Sequence, residues 1–216
     1  MKYIPEHVIE QSLSYPQYRS LISELQAAGK TTGDNHSEAM LHYTNMNVTR
    51  MDRLDKTTKL IAEAEAAVAG IDRPVIWLTI TEAWCGDAAQ ILPVLHKMAA
   101  ASDQVGLRLI LRDEYPEIMD AFLTNGGRSI PKVVLLDAES KAVLGSWGPR
   151  PEAVQQMVMD AKKDLEQIED DSAKKERYQE LVAQAQKWYA RDKTRSIQEE
   201  FLAALEQSLS LESSTR

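Results

Sequence analysis

The chain has 216 residues, a formal net charge of −8 and a single cysteine. One cysteine excludes an intrachain disulfide, a cysteine-based zinc cluster and a dithiol redox pair within one chain. The acidic balance, 33 Asp and Glu against 25 Lys and Arg, argues against general binding to nucleic acid or to an anionic membrane, and leaves room for a local basic patch.

A hydrophobic share of 44% suits a folded globular protein rather than a disordered one. Nine glycines, about 4% against a typical ~7%, point to long helices and away from an all-β fold rich in tight turns. The start, Met1-Lys2-Tyr3-Ile4-Pro5-Glu6-His7, carries no apolar run behind its lysine, and no stretch nears ~18 consecutive apolar residues. The expectation is a cytoplasmic protein with no membrane span and a reduced cysteine.

Residues 1–70 read as an N-terminal helical extension. Pro5 and Pro16 interrupt the entry, and Leu21, Ile22 and Leu25 mark a short helix stopped near Gly29. After the polar loop Thr31 to Asn35, Ser37 is placed to cap a long second helix. On it Leu41, Met51, Leu54, Ile61 and Val68 recur at helical spacing as far as Gly70. The charged run Arg50, Asp52, Arg53, Asp55, Lys56 reads as a solvated face.

Residues 71–165 change character. Pro74 to Ile80 is a short β-branched run that suits a buried strand. A helix pattern follows from Gly86 to about Ala101, then an alternating strand from Val105 to Leu111. A short helix over Glu117 to Leu123 follows Tyr115-Pro116. Pro131 opens a strand over Lys132 to Leu136, and Ala142 to Leu144 pairs back as a hairpin. Pro149 and Pro151 precede another helix. The order β-α-β-α-β-β-α predicts one mixed sheet with helices on its faces.

Residues 166–216 read as a C-terminal helical extension. Val154, Val158, Ala161, Leu165 and Ile168 form a stripe that leads into it, and Asp170-Asp171-Ser172 caps a new helix bearing Tyr178, Leu181, Val182, Ala185 and Trp188. Ser196-Ile197-Gln198-Glu199 has the form of a capping box ahead of Phe201, Leu202 and Leu205, and Ser210 to Arg216 look frayed. The apolar stripes need a partner: the sheet, each other, or a second copy of the chain in a homodimer.

The chemistry concentrates in Trp84-Cys85-Gly86-Asp87-Ala88-Ala89-Gln90-Ile91-Leu92-Pro93. A strand, a short turn and a cysteine at a helix start put unpaired backbone amides and the helix dipole beside the sulfur, which favours a thiolate. Trp84 shields one side, and Pro93 falls where it would kink the helix. Trp77 and Trp188 read as core. His7, His36, His42 and His96 show no metal spacing, and His96 lies about three helical turns from Cys85, out of reach for a Cys-His dyad. No phosphate loop, dinucleotide motif or hydrolase elbow occurs.

At these residues the chain resembles the thioredoxin superfamily, whose W-C-G-P-C motif is followed at this spacing by a helix-kinking proline. Ser129-Ile130-Pro131 resembles the family's Ile-Pro loop, Gly148 its glycine after the last strand, and Asp113 and Pro116 its acid and helix-starting proline. The W-C-G-D string and the helical extensions resemble a bacterial branch of the family. The resemblance implies a thioredoxin-like α/β fold over residues 71–165, a cis Pro131 facing Cys85, and an Ile130 backbone free to pair with a peptide or glutathione.

The departures bear on function. The resolving cysteine of the family falls at Ala88, its buried carboxylate at Thr79, and its motif proline at Asp87, whose charge opposes a thiolate. Arg128 is expected near Cys85, where it would partly offset Asp87. Two readings follow. In one, Cys85 is the nucleophile of a monothiol disulfide oxidoreductase, Gly86 and the next amides stabilise the thiolate, and glutathione or another external thiol resolves the mixed disulfide. In the other, the surface of Trp84, Pro131 and Trp147 binds a peptide or protein partner without turnover. A scaffold whose long helices dimerise is a third. None needs a metal or a resident cofactor.

Overall fold

The computed structural model describes residues 1–213. Four strands form its centre: β1 (Val75–Thr81), β2 (Val105–Leu111), β3 (Lys132–Asp137) and β4 (Val143–Trp147). Their order is β2-β1-β3-β4. β1 and β2 run parallel, with Val75 opposite Val105 and Thr81 opposite Leu111, while β3 runs antiparallel to both β1 and β4. The predicted mixed α/β sheet is therefore the observed one. The parallel pair needs a crossover, which α5 (Gly86–Ala99) supplies.

Alternation along β1 sends side chains to two cores. Trp77 faces the larger one with Leu109, Val133 and Leu135, under α2 (Tyr15–Ala27), α3 (Glu38–Thr57), α4 (Ala62–Ala69) and α5. Leu78 and Ile80 face the smaller one with Val134 and Leu136, under α1 (Glu6–Gln11) and α6 (Pro116–Ala121). The sheet is thus covered on both faces, as a parallel β1–β2 pair requires.

The C-terminal helices belong to the same core. α7 (Glu152–Gln167) buries Val154 and Ala161, α8 (Asp171–Asp192) buries Leu181, Ala185 and Tyr189, and α9 (Arg195–Ser213) places Phe201 edge-on to both Trp77 and Trp147. Two of the predicted helix starts use the expected chemistry: Asp170 caps α8 by accepting from the Ala173 amide, and Pro116 occupies the first turn of α6.

Five local expectations are corrected. The helix expected from Ser37 to Gly70 breaks over residues 58–61, because Gln198 of α9 accepts from the Ile61 amide and donates to the Lys59 carbonyl, satisfying the groups that the break exposes. Ser37 occupies the N-cap position of α3 without a side-chain cap bond. Ser196 is not a cap: it lies inside α9, bonded to Asp192, while Glu199 pairs with Arg195. The proline-rich entry contains a helix, α1, held over the second core by Val8. The charged run of α3 is not simply solvated, since Asp52 and Asp55 both pair with Arg19 of α2 and Arg50 turns inward.

Candidate functional site around Cys85

The turn after β1 carries Glu82, Ala83 and Trp84 and delivers Cys85 to the N-cap position of α5. Its backbone is pinned from the N-terminal region, by the α2–α3 loop and by α3. The Ala83 amide donates to Thr32 Oγ1 at 2.8 Å, and the Ala83 carbonyl accepts from Asn47 Nδ2 at 2.8 Å. Trp84 is held by the Arg112 guanidinium, 4.7 Å from its ring centre.

The Cys85 thiol donates to the Ile130 carbonyl at 3.3 Å, and the Ile130–Pro131 peptide bond is cis. Burial pushes the thiol up to about 12, and the Asp87 carboxylate adds to the rise; the Ala88 amide, the Arg150 charge and the Asp87 amide pull the other way without reversing it. Asp87 is itself well paired, accepting from Arg150 Nε at 2.8 Å and from the Tyr189 hydroxyl at 2.8 Å.

Behind the Ile130–Pro131 loop, the buried Lys132 ammonium donates to Thr124 Oγ1 at 3.0 Å and to the Gly148 carbonyl at 3.1 Å. Gly148 has φ +106°, and a Cβ there would come within 2.6 Å of the Pro131 carbonyl oxygen, so only glycine fits. The family's glycine position therefore has a local steric reason in this chain.

Trp84, Cys85, Gly86 and Asp87 line a cavity of about 330 Å³. Its far wall is α8, through Tyr178, Leu181, Val182, Ala185 and Gln186, and α3 contributes Met40, Tyr43 and Arg50. α8 is fastened to the motif by the Tyr189–Asp87 bond and by Gln90, which donates to Gln186 Oε1 at 2.6 Å.

The structure brings together Trp84, Cys85, Gly86, Asp87, Arg128 and Ile130 around this cavity. Ala88 and Pro131 are both buried and do not line it. Three placements depart from expectation. Arg128 reaches the rim but makes a two-pronged pair with Asp120 at 2.6 Å, and Arg150 takes the role of offsetting Asp87. Trp147 is 9% exposed, packs against Phe201 and offers no binding surface, because α9 covers it. The Ile130 carbonyl already accepts from Cys85, so a peptide pairing there would share that oxygen with the thiol.

Sequence reasoning passed over two residues. Glu82 is fully buried, accepts from the Asp113 amide at 3.0 Å, and is pushed up to about 7 by burial. A carboxylate at the end of an apolar strand, three residues before the cysteine, was the available signal. Arg50, read as part of a solvated face, lines the cavity from α3.

The sequence model described as Thioredoxin matches residues 33–166, more than half of the chain. The chain belongs to the thioredoxin family. No curated protein matches it significantly. Solved structures similar to the chain include these two. One is a protein of unknown function from Pseudomonas aeruginosa, at 17% identity and TM-score 0.51, with 90% of this chain and 98% of that one covered. The other is an HIV epitope-scaffold, at 18% identity and TM-score 0.51, with the same coverage. At these identities the likeness concerns the fold.

As a thioredoxin-family site, this one differs in the groups that drive exchange. Ala88 occupies the resolving position with 1% exposure, and Thr79 occupies the buried-acid position with its hydroxyl buried and unpartnered among the described residues. Among the described residues no group of three or more His, Cys, Asp or Glu could hold a metal ion, and no helix is long and apolar enough to cross a membrane.

Proposed function

We propose that this chain is a redox-silent, thioredoxin-fold binding protein whose roofed cavity takes a small ligand. The observation that carries the reading is the hydrogen bond from Cys85 Sγ to the Ile130 carbonyl. It needs the proton on sulfur, so it stabilises the thiol against the nucleophilic thiolate. It also shares the carbonyl that an extended peptide would use, and α8 lines the cavity on the side a peptide would approach. The cavity volume, about 330 Å³, falls at the small end of ligand sites. A cavity of this size and enclosure suits a small ligand better than an extended peptide. A reducing compartment such as the cytoplasm suits a lone thiol, and the W-C-G-D string suits the bacterial branch of the family.

A second reading has its own observation: Cys85 lines the cavity, so a small disulfide entering it meets the sulfur. A monothiol exchange would then run through the Cys85 thiolate. It would attack one sulfur, form a mixed disulfide and expel the other sulfur as a thiolate. An external thiol such as glutathione would attack the mixed disulfide and restore Cys85.

Alkylation rate against pH and turnover of a glutathione mixed disulfide separate the two. A thiol pKa at or above ~8.5 without turnover is expected. A pKa near 7 with glutathione-dependent reduction would overturn the binding reading in favour of exchange.

A further inference from the structure

The Cys85 cavity has a charged corner that the thiol does not explain. Four arginines line it: Arg50, Arg112, Arg128 and Arg150. Three are neutralised locally, Arg112 by Asp113, Arg128 by Asp120 and Arg150 by Asp87. Arg50 has no carboxylate within ion-pair distance among the described residues. Its Nη1 donates only to Asn47 Oδ1, a neutral oxygen, at 2.7 Å. Burial and the neighbouring Arg53 press its pKa down, and the Asp87 carboxylate across the cavity opposes them only in part, so the site holds this charge at a cost.

A second donor converges on the same point. Gln186 Oε1 is fixed by Gln90, which leaves Nε2 aimed at the start of α5. A Cβ at Gly86 would lie 3.3 Å from Gln186 Nε2 and 3.5 Å from Arg50 Nη1. Two side-chain donors thus meet over the first residue of a 14-residue helix, at the positive end of its dipole; the Asp87 and Ala88 amides of that turn already serve the Cys85 sulfur. The wall also carries Ser129 and the Asp87 carboxylate, the latter already paired with Arg150 and Tyr189; its apolar part is Tyr43, Trp84, Ile130, Leu181 and Ala185.

We propose that the cavity binds a small amphipathic organic anion. Its anionic head sits over Gly86 between Arg50 and Gln186, and its apolar body lies against Tyr43, Trp84 and Leu181. This rests on the ligand-binding reading of the cavity and specifies the ligand class. An uncharged ligand would leave Arg50 further desolvated with only the neutral Asn47 oxygen as partner, and a cation would meet it directly.

The test uses two probes of matched shape, 8-anilinonaphthalene-1-sulfonate and the uncharged N-phenyl-1-naphthylamine, titrated by fluorescence into the full chain. Saturable binding of the sulfonate at one site is expected, tenfold or more tighter than the neutral probe and weakening as salt rises. Arg50→Gln should remove most of that preference while sparing the neutral probe, and Arg50→Lys should restore part of it. Val182→Trp, which fills the cavity from α8, should abolish both. Unfolding curves confirm that each variant is folded, and Arg50→Lys carries the comparison if Arg50→Gln is not. If Val182→Trp blocks both probes but wild type shows no preference for the sulfonate, the cavity binds ligands and the anion proposal is overturned. If neither probe responds to Val182→Trp, the ligand-binding reading falls together with the proposal. Fast Cys85 exchange alongside anion preference would remove the redox-silent reading and leave the proposal standing.

Discussion

The Tyr189 hydroxyl donates to Asp87 Oδ1 at 2.8 Å, joining α8 to the first turn of α5 across 102 residues of sequence. This bond makes the C-terminal extension part of the site. Asp87 would otherwise be a charge beside a half-buried thiol, and Tyr189 and Arg150 together make it tolerable there.

Tyr189→Phe should therefore act on both stability and access. The lost bond goes to a charged acceptor in a part-buried setting, so we expect a loss of about 1–2 kcal/mol in denaturant unfolding. Loosening α8 should also raise the rate of Cys85 alkylation at pH 8. An unchanged alkylation rate with normal folding would show that α8 does not guard the sulfur.

Asp87→Asn should lower the thiol pKa. The Asp87 charge is the second cause of its elevation after burial, and Arg150 would be left to act on the sulfur alone. A fall of about one unit corresponds to a tenfold gain in thiolate fraction and in alkylation rate at pH 8. Arg150→Met should move the rate the other way. Equal rates in all three proteins would remove Asp87 and Arg150 from control of the thiol.

The strands and the thioredoxin-like order were legible because each strand is a short apolar run with clear stops, as in Pro74 to Thr81. The motif cysteine was legible from its spacing to Pro93 and Ile130-Pro131. The roof was not, because Tyr178, Leu181 and Ala185 make the same helical stripe whether they face the sheet, a second chain or a cavity. The break at residues 58–61 was hidden for a related reason. Lys59, Leu60 and Ile61 are compatible with a helix, and the side chain that favours the break, Gln198, lies 137 residues from Ile61. Trp147 was misplaced because α9, which covers it, could not be positioned from its own sequence.

Phe201 tests how far the C-terminal helices belong to the domain. Its ring meets Trp77 at 4.7 Å and Trp147 at 5.7 Å between ring centres, and it is fully buried. Phe201→Ala should cost about 3–5 kcal/mol in a single cooperative transition that includes the sheet. Two separate transitions, with the sheet signal unmoved, would mean that α9 is an independent appendage.

Glu82 should give the protein a pH-dependent stability. Its carboxyl is pushed up to about 7 by burial, partly opposed by the Thr32 side chain and the Asp113 amide. The folded chain then holds this proton more tightly than the unfolded chain, where a glutamate releases it near pH 4.3. Between those values the folded state binds more protons, so the favourable contribution is complete below pH 4.3 and is lost as pH rises through 7. The span corresponds to at most about 4 kcal/mol. Glu82→Gln keeps an acceptor for the Asp113 amide and carries no charge to desolvate. Its unfolding free energy relative to wild type should rise steadily from pH 5 to pH 8 and level off above. A difference that stays flat over that range would show that Glu82 is ionised at pH 5 in the folded chain.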